Sequence, residues 1–174
     1  MKKEADFKAQ VAARSGVKPA ACYQCGKCSA GCPMAHAMDL LPHQIMRLIQ
    51  LNQRDKVLKS RTIWMCASCE TCSTRCPKEV DVARVMDALR EMAYKEGFVS
   101  AQADTVKFME EFLAWVKRTG RQFEGGLVGG YKLRTGHFFQ DLDAAPKMMP
   151  KLKLLPHRIK GQAAVARIFD KCKA

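Results

Sequence analysis

No stretch of this 174-residue chain approaches eighteen consecutive apolar residues, so no segment is expected to span a membrane. The opening Met1-Lys2-Lys3-Glu4-Ala5-Asp6 leads into no apolar run, and no secretory signal is expected. No segment shows the period-two alternation of a half-buried strand, which argues against a sheet. A G-x-G-x-x-G fingerprint is missing too. Gly125-Gly126-Leu127-Val128-Gly129-Gly130 has the wrong spacing and follows no expected strand, so it reads as a flexible connection. Acidic side chains are scarce: 17 Asp and Glu stand against 30 Lys and Arg, a formal net charge of +13. The excess is uneven. Residues 1–100 hold 16 basic and 10 acidic groups, residues 101–116 hold 1 and 3, and residues 117–174 hold 13 and 4. The basic third has no nucleic-acid motif, and its cations are scattered among Leu, Met and Pro without a polybasic block. It reads as a docking segment for a partner protein.

Cysteine is plentiful. Eight of the nine fall into two copies of Cys-x-x-Cys-x-x-Cys-x-x-x-Cys-Pro: Cys22, Cys25, Cys28, Cys32 with Pro33, and Cys66, Cys69, Cys72, Cys76 with Pro77. This is the ligand run of proteins that hold two [4Fe–4S] clusters. Three cysteines at x-x spacing wrap one cluster from a tight loop, and in the two-cluster ferredoxin pattern the fourth ligates the other cluster. That pattern assigns Cys22, Cys25, Cys28 and Cys76 to cluster 1, and Cys66, Cys69, Cys72 and Cys32 to cluster 2. All eight would bind iron. Zinc sites are usually two Cys-x-x-Cys pairs held apart by a spacer, unlike four cysteines in eleven residues, twice. A disulfide framework fits neither the odd count nor the missing signal. Thiolate ligands in this number suit a reducing cytoplasm. Eight thiolates and two oxidised cores would lower the net charge to roughly +9. Cys172 lies apart and reads as a structural or surface thiol.

The two runs are offset by 44 residues, an internal repeat. Each leads into an amphipathic helical pattern. Asp39-Leu40-Leu41-Pro42 reads as a helix start, with Ile45, Leu48 and Ile49 following at helical period. Asp81 is a good N-cap for a helix carrying Val82, Val85, Met86, Leu89, Met92 and Ala93, ended by Gly97. Ser60 can cap a short helix that carries Ile63, Trp64 and Met65 into Cys66. Further helices are expected near Phe7 and Val11, ending before Gly16, over about 101–118, and over 157–171. In the 101–118 helix Val106, Met109, Phe112, Leu113 and Val116 line one face, and Gly120 stops it. Pro146, Pro150 and Pro156 punctuate an extended basic stretch. Met34, Met38, Met46, Met65, Met86 and Met92 read as core packing and cluster shielding, as does Trp64. His36 and His43 read as surface or packing residues. Backbone N–H groups around Gly26, Ser29, Ser68 and Ser73 are expected to meet cluster sulfurs.

Three stretches make the pattern specific: Leu41-Pro42-His43-Gln44-Ile45-Met46-Arg47-Leu48-Ile49-Gln50-Leu51; Ser60-Arg61-Thr62-Ile63-Trp64-Met65-Cys66-Ala67-Ser68-Cys69; and Thr71-Cys72 with Arg75-Cys76-Pro77. Together with Cys22-Tyr23-Gln24-Cys25-Gly26-Lys27-Cys28, they resemble the C-type iron–sulfur subunit of heterodisulfide reductase over about residues 20–98. The resemblance implies an all-α fold: an α-helical ferredoxin domain over 1–120 binding two [4Fe–4S] clusters, with a basic, partly irregular docking extension over 121–174. It also implies an electron-transfer subunit in a hetero-oligomer. Such a protein relays single electrons between two partners. One is an A-type flavin iron–sulfur protein, the other a B-type catalytic protein with Cys-Cys-Gly motifs. This chain has no adjacent cysteines and no flavin fingerprint, so no substrate site is expected on it. The alternative is a peripheral iron–sulfur subunit of a membrane-associated, quinone-linked respiratory complex, which would need a separate anchor.

Overall fold

The computed structural model of the chain describes residues 6–98, 103–139 and 155–172. Among these residues there is no strand, and no helix is long and apolar enough to cross a membrane. The chain divides into two compact units, Met1–Gln102 and Ala103–Ala174. This packing boundary falls ahead of the domain limit expected at 120/121.

The first unit holds α1 (Phe7–Ser15), α2 (Lys27–Ala30), α3 (Pro42–Gln50), α4 (Arg54–Leu58), α5 (Thr62–Met65), α6 (Thr71–Thr74) and α7 (Val82–Lys95). Helix α7 is its centre. Val82, Ala83, Val85, Met86, Ala88, Leu89, Met92 and Ala93 make one buried face, against which α1, α4, α5 and α6 pack. Ile45, Met46 and Ile49 of α3, Val57 and Leu58 of α4, and Ile63 of α5 are fully enclosed in the same core. Helix α1 contributes Phe7 and Val11 and ends where Gly16 takes a left-handed φ of 69°, its N–H closing on Ala12. Arg54 on α4 pairs with Glu96 just past α7.

Helix α5 is started in an unexpected way. Ser60 does not cap it; its hydroxyl donates to the Val57 carbonyl at 2.7 Å and closes α4 instead. The start of α5 is held by Asp39, over twenty residues away. The Asp39 carboxylate accepts from Arg61 N–H (2.9 Å), Thr62 N–H (2.9 Å) and the Thr62 hydroxyl (2.7 Å). The expected helix start at Asp39-Leu40-Leu41-Pro42 places Pro42 at the first turn of α3, and Gln44, not Asp39, accepts the Leu41 N–H at 2.8 Å.

The second unit holds α8 (Ala103–Thr119), α9 (Glu124–Thr135) and α10 (Gln162–Cys172). The glycine run Gly125–Gly130 is not a flexible connection: it lies wholly inside α9. Close packing on α8 is the physical reason. A Cβ at Gly126 would overlap the Trp115 ring, and one at Gly130 would overlap the Glu111 carboxylate. By contrast a Cβ at Gly129 meets nothing within 4 Å. Gly129→Ala is therefore expected to stabilise the unit by up to about 1 kcal/mol through helix propensity. Gly126→Ala is expected to destabilise it by about 1–2 kcal/mol, because overpacking outweighs that gain. Urea unfolding followed by tryptophan fluorescence checks both signs. The apolar face expected on α8 is only partly covered: Val106 is buried, while Met109, Phe112 and Leu113 are exposed. Pro146 and Pro150 lie outside the described residues.

Candidate functional site

The two cysteine runs take the same backbone path. Gln24 (φ 67°) and Gly26 (φ 75°) are left-handed in the first run; their counterparts 44 residues on, Ser68 (φ 49°) and Glu70 (φ 60°), are left-handed in the second. Left-handed residues beside right-handed ones turn successive N–H groups into a concavity that receives anions. The Lys27 N–H reaches the Cys25 sulfur, and its counterpart on Thr71 reaches Cys69. Gly26 adopts this geometry freely, whereas Glu70 does so at a cost of about 1–2 kcal/mol. Ser68 is braced from α7, its hydroxyl donating to Asp87 (3.1 Å) and accepting from Arg90 (2.6 Å).

All nine cysteines are free. Cys22, Cys25, Cys28 and Cys76 line one recess with Tyr23, Gly26, His43, Lys78 and Val80, about 350 Å³ of atom-free space including the part open to solvent. Cys66, Cys69, Cys72 and Cys32 line a second of about 390 Å³, walled by Met34, Met38 and Met86 and edged by Glu70. The fourth cysteine of each run thus lies in the recess of the other run. Gly31 allows this crossing: the Arg75 side chain lies across it, Nη1 2.6 Å from where a Cβ would stand. The shielding expected of the methionines falls to these three, while Met46 and Met92 are core residues and Trp64 is buried without lining either recess.

The thiols differ in pairs that follow the repeat. The Lys27 N–H holds Cys25 below the ordinary thiol range, and hydrogen bonding to Thr71 does the same for Cys69. Burial pushes Cys28 up, and its counterpart Cys72 up to about 11. Direct contacts to sulfur include Gln24 Nε2 donating to Cys22 (3.4 Å) and Val80 N–H donating to Cys76 (3.3 Å). The pair Cys69–Thr71 is joined through Sγ and the hydroxyl at 3.4 Å.

Two serines connect the runs to the helices behind them. Ser29 Oγ accepts the His43 N–H in the first turn of α3 (3.1 Å) and bonds His43 Nδ1 (2.7 Å). Its counterpart Ser73 accepts the Ala83 N–H in the first turn of α7 (3.2 Å) and donates to the N-cap Asp81 (2.7 Å). The Ser29 N–H, expected near a cluster sulfur, acts on Cys28 and also donates to the Gly26 carbonyl (3.0 Å), and the Ser29 hydroxyl lies 3.9 Å from the Cys28 sulfur. Ser73→Ala is expected to cost about 1 kcal/mol, as cap losses do, and to loosen the second run; the shift in urea midpoint measures it. Gln50 was not legible as a site residue, yet its Nε2 donates to the carbonyls of Pro19 (3.0 Å) and Cys22 (2.8 Å), tying the first run to α3. No sequence signal marks a contact made by one amide across 28 residues. His36 is exposed, His43 lines the first recess, and Cys172 is exposed at the end of α10.

These donors fit four-iron clusters. Soft thiolates surround each recess, with N–H donors at the sulfurs. Among the described residues no three Cys, His, Asp or Glu side chains are gathered as tightly as one metal ion requires. A cubane takes its four thiolates spread around a larger body.

A family profile described as a 4Fe-4S dicluster domain matches residues 21–81. The chain is 41% identical over 80 residues to the C-type iron–sulfur subunit of CoB–CoM heterodisulfide reductase from Methanopyrus kandleri, covering 46% of this chain and 42% of the relative. It is 32% identical over 95 residues to the C-type subunit of the H2:CoB–CoM heterodisulfide, ferredoxin reductase of Methanothermobacter marburgensis, covering 55% and 51%. The chain therefore spans about half the length of these curated relatives. A second form of the C-type iron–sulfur subunit of CoB–CoM heterodisulfide reductase, from Methanocaldococcus jannaschii, matches more broadly: 34% identity over 137 residues, 76% of this chain and 73% of the relative. With that breadth of match, and a dicluster domain over both cysteine runs, the chain belongs to the family of C-type heterodisulfide reductase iron–sulfur subunits.

Proposed function

We propose that the chain holds two [4Fe–4S] clusters, one at Cys22, Cys25, Cys28 and Cys76 and one at Cys66, Cys69, Cys72 and Cys32, as the electron-transfer subunit of a heterodisulfide-reductase-type complex. When bound, such clusters accept and release single electrons. The observation that carries this reading is the crossing: each recess takes three cysteines from one run and the fourth from the other. The chain's own residues hold the sulfurs and exclude water. Met34, Met38 and Met86 wall one recess, and Val80 and Val82 back the other. We read the partners as an A-type flavin iron–sulfur protein and a B-type catalytic protein with Cys-Cys-Gly motifs, with residues 121–174 as the docking extension and the cytoplasm as the location.

Anaerobically purified protein is expected to contain about eight iron atoms per chain and to give four-iron EPR signals on reduction. Stoichiometric zinc with iron near zero would sink the reading. Native extract is expected to show the chain co-purifying with both partner types. A chain running at its own mass would make it a free carrier.

A further inference from the structure

The 44-residue repeat supplies its own control, because a residue facing one recess has a counterpart facing the other. The fourth cysteines trade places, so the residues after them cross as well: Lys78 lines the Cys22 recess, and its counterpart Met34 lines the Cys66 recess. Gly26 lines the first, and its counterpart Glu70 the second; Tyr23 lines the first, and Ala67 the second. These differences all act in one direction. Lys78 sets a cation where the other recess has a thioether. Glu70 sets an anion where the other has no side chain. The Tyr23 hydroxyl shares the recess with Cys25 and can donate to its thiolate, where Ala67 has nothing to donate.

Hydrogen bonding to sulfur follows the same trend. Gln24 donates to Cys22, whereas its counterpart Ser68 turns its hydroxyl to Asp87. Val80 N–H donates to Cys76. The second recess has the Thr71 contact at Cys69 and its methionine wall. The remaining charged neighbours do not reverse the balance. Lys27, counterpart of Thr71, acts favourably on Cys25, and Arg75, which precedes Cys76 of the first site and lies across Gly31 beside Cys32 of the second, favours neither site over the other. Reduction adds negative charge, so cations and sulfur donors favour it, while anions and apolar walls oppose it.

We infer that the two sites differ in reduction potential, with the Cys22–Cys25–Cys28–Cys76 site the more easily reduced and Lys78 and Glu70 as tuning residues. This rests on the ligand sets proposed above. At equilibrium a single electron on the chain resides at that site. Lys78 and Glu70 are exposed, so their share of the gap shrinks as salt is added; the share of Tyr23, Gln24 and the methionines persists.

An EPR-monitored redox titration of the cluster-loaded full chain tests this with Lys78→Met and Glu70→Gln, two surface changes outside the ligand set. Lys78→Met is expected to lower the higher-potential signal alone. Glu70→Gln is expected to raise the lower-potential signal alone. Each shift is expected to reach at most about tenfold in the equilibrium constant, about 59 mV for one electron. If Lys78→Met moves the lower-potential signal, if Glu70→Gln moves the higher one, or if neither variant moves either, the ordering is overturned while the two clusters stand. A chain with about four iron atoms and one signal overturns the ligand sets and the ordering together.

Discussion

Replacing Cys28 and Cys76 together with alanine is expected to leave about four iron atoms per chain, no fewer than either single replacement leaves. The two residues come from different runs, yet both line the recess of Cys22 and Cys25. If they hold one cluster, losing the second ligand removes nothing further. Replacing Cys28 and Cys32 together is expected to remove nearly all the iron. These two are neighbours in one run but line different recesses. An uncrossed arrangement, with each run holding its own cluster, gives the opposite result for both pairs. Iron content, with far-UV circular dichroism to follow helix content, separates the two arrangements. The non-additivity is the diagnostic, because it reads pairing directly from stoichiometry.

Asp39→Ala is expected to destabilise the first unit by about 3 kcal/mol. The side chain gathers Arg61 N–H, Thr62 N–H, the Thr62 hydroxyl and its neighbour Leu40 N–H. Thr62 is fully buried, so without Asp39 its hydroxyl is left with the Leu40 carbonyl as acceptor while the Arg61 and Thr62 N–H groups lose theirs. Asp39→Asn keeps an acceptor oxygen and is expected to cost about 1 kcal/mol. The same geometry sets a pH dependence. Burial opposes ionisation of Asp39, but the Thr62 hydroxyl and the three N–H donors outweigh it and hold the carboxyl below its ordinary range. A folded-state value below the unfolded one means the contribution is complete above about pH 4 and is lost as pH falls through the folded value. The stability difference between the natural chain and Asp39→Ala, measured by urea unfolding at descending pH, is therefore expected to shrink in acid.

Much of the first unit was legible because its signals are local. The α7 helix follows from its N-cap Asp81, its apolar period and Gly97, each read within a few residues. The α1 helix ends at Gly16 as its sequence suggests. Local reading erred where a distant group took over. Ser60 has the right chemistry to cap α5, yet Asp39 fills that role and Ser60 is spent on α4. Ser29 and Ser73 act on the sulfurs of Cys28 and Cys72 as expected, and each also fastens the helix that follows its run, which no local signal marks. The glycine run of α9 failed for a related reason. Glycine has poor helix propensity, but at Gly126, pressed on Trp115, the helix has no room for anything larger. Propensity is an average over surroundings, and here the neighbour decides.

By itself the sequence determined the donor chemistry: eight thiols in two identical registers, with helical spacing between them. A repeated spacing is a covalent property, so it survives without knowledge of the fold. The crossing was already an expectation of the ferredoxin pattern; only the tertiary structure decided how the surroundings of the two registers differ. Packing brings Cys76 beside Cys22 and Cys32 beside Cys66, and with them Lys78 to one recess and Met34 to the other. Two runs alike in sequence thus meet unlike surroundings, because the groups that flank a sulfur in space are set by contacts across the chain, which no local pattern encodes.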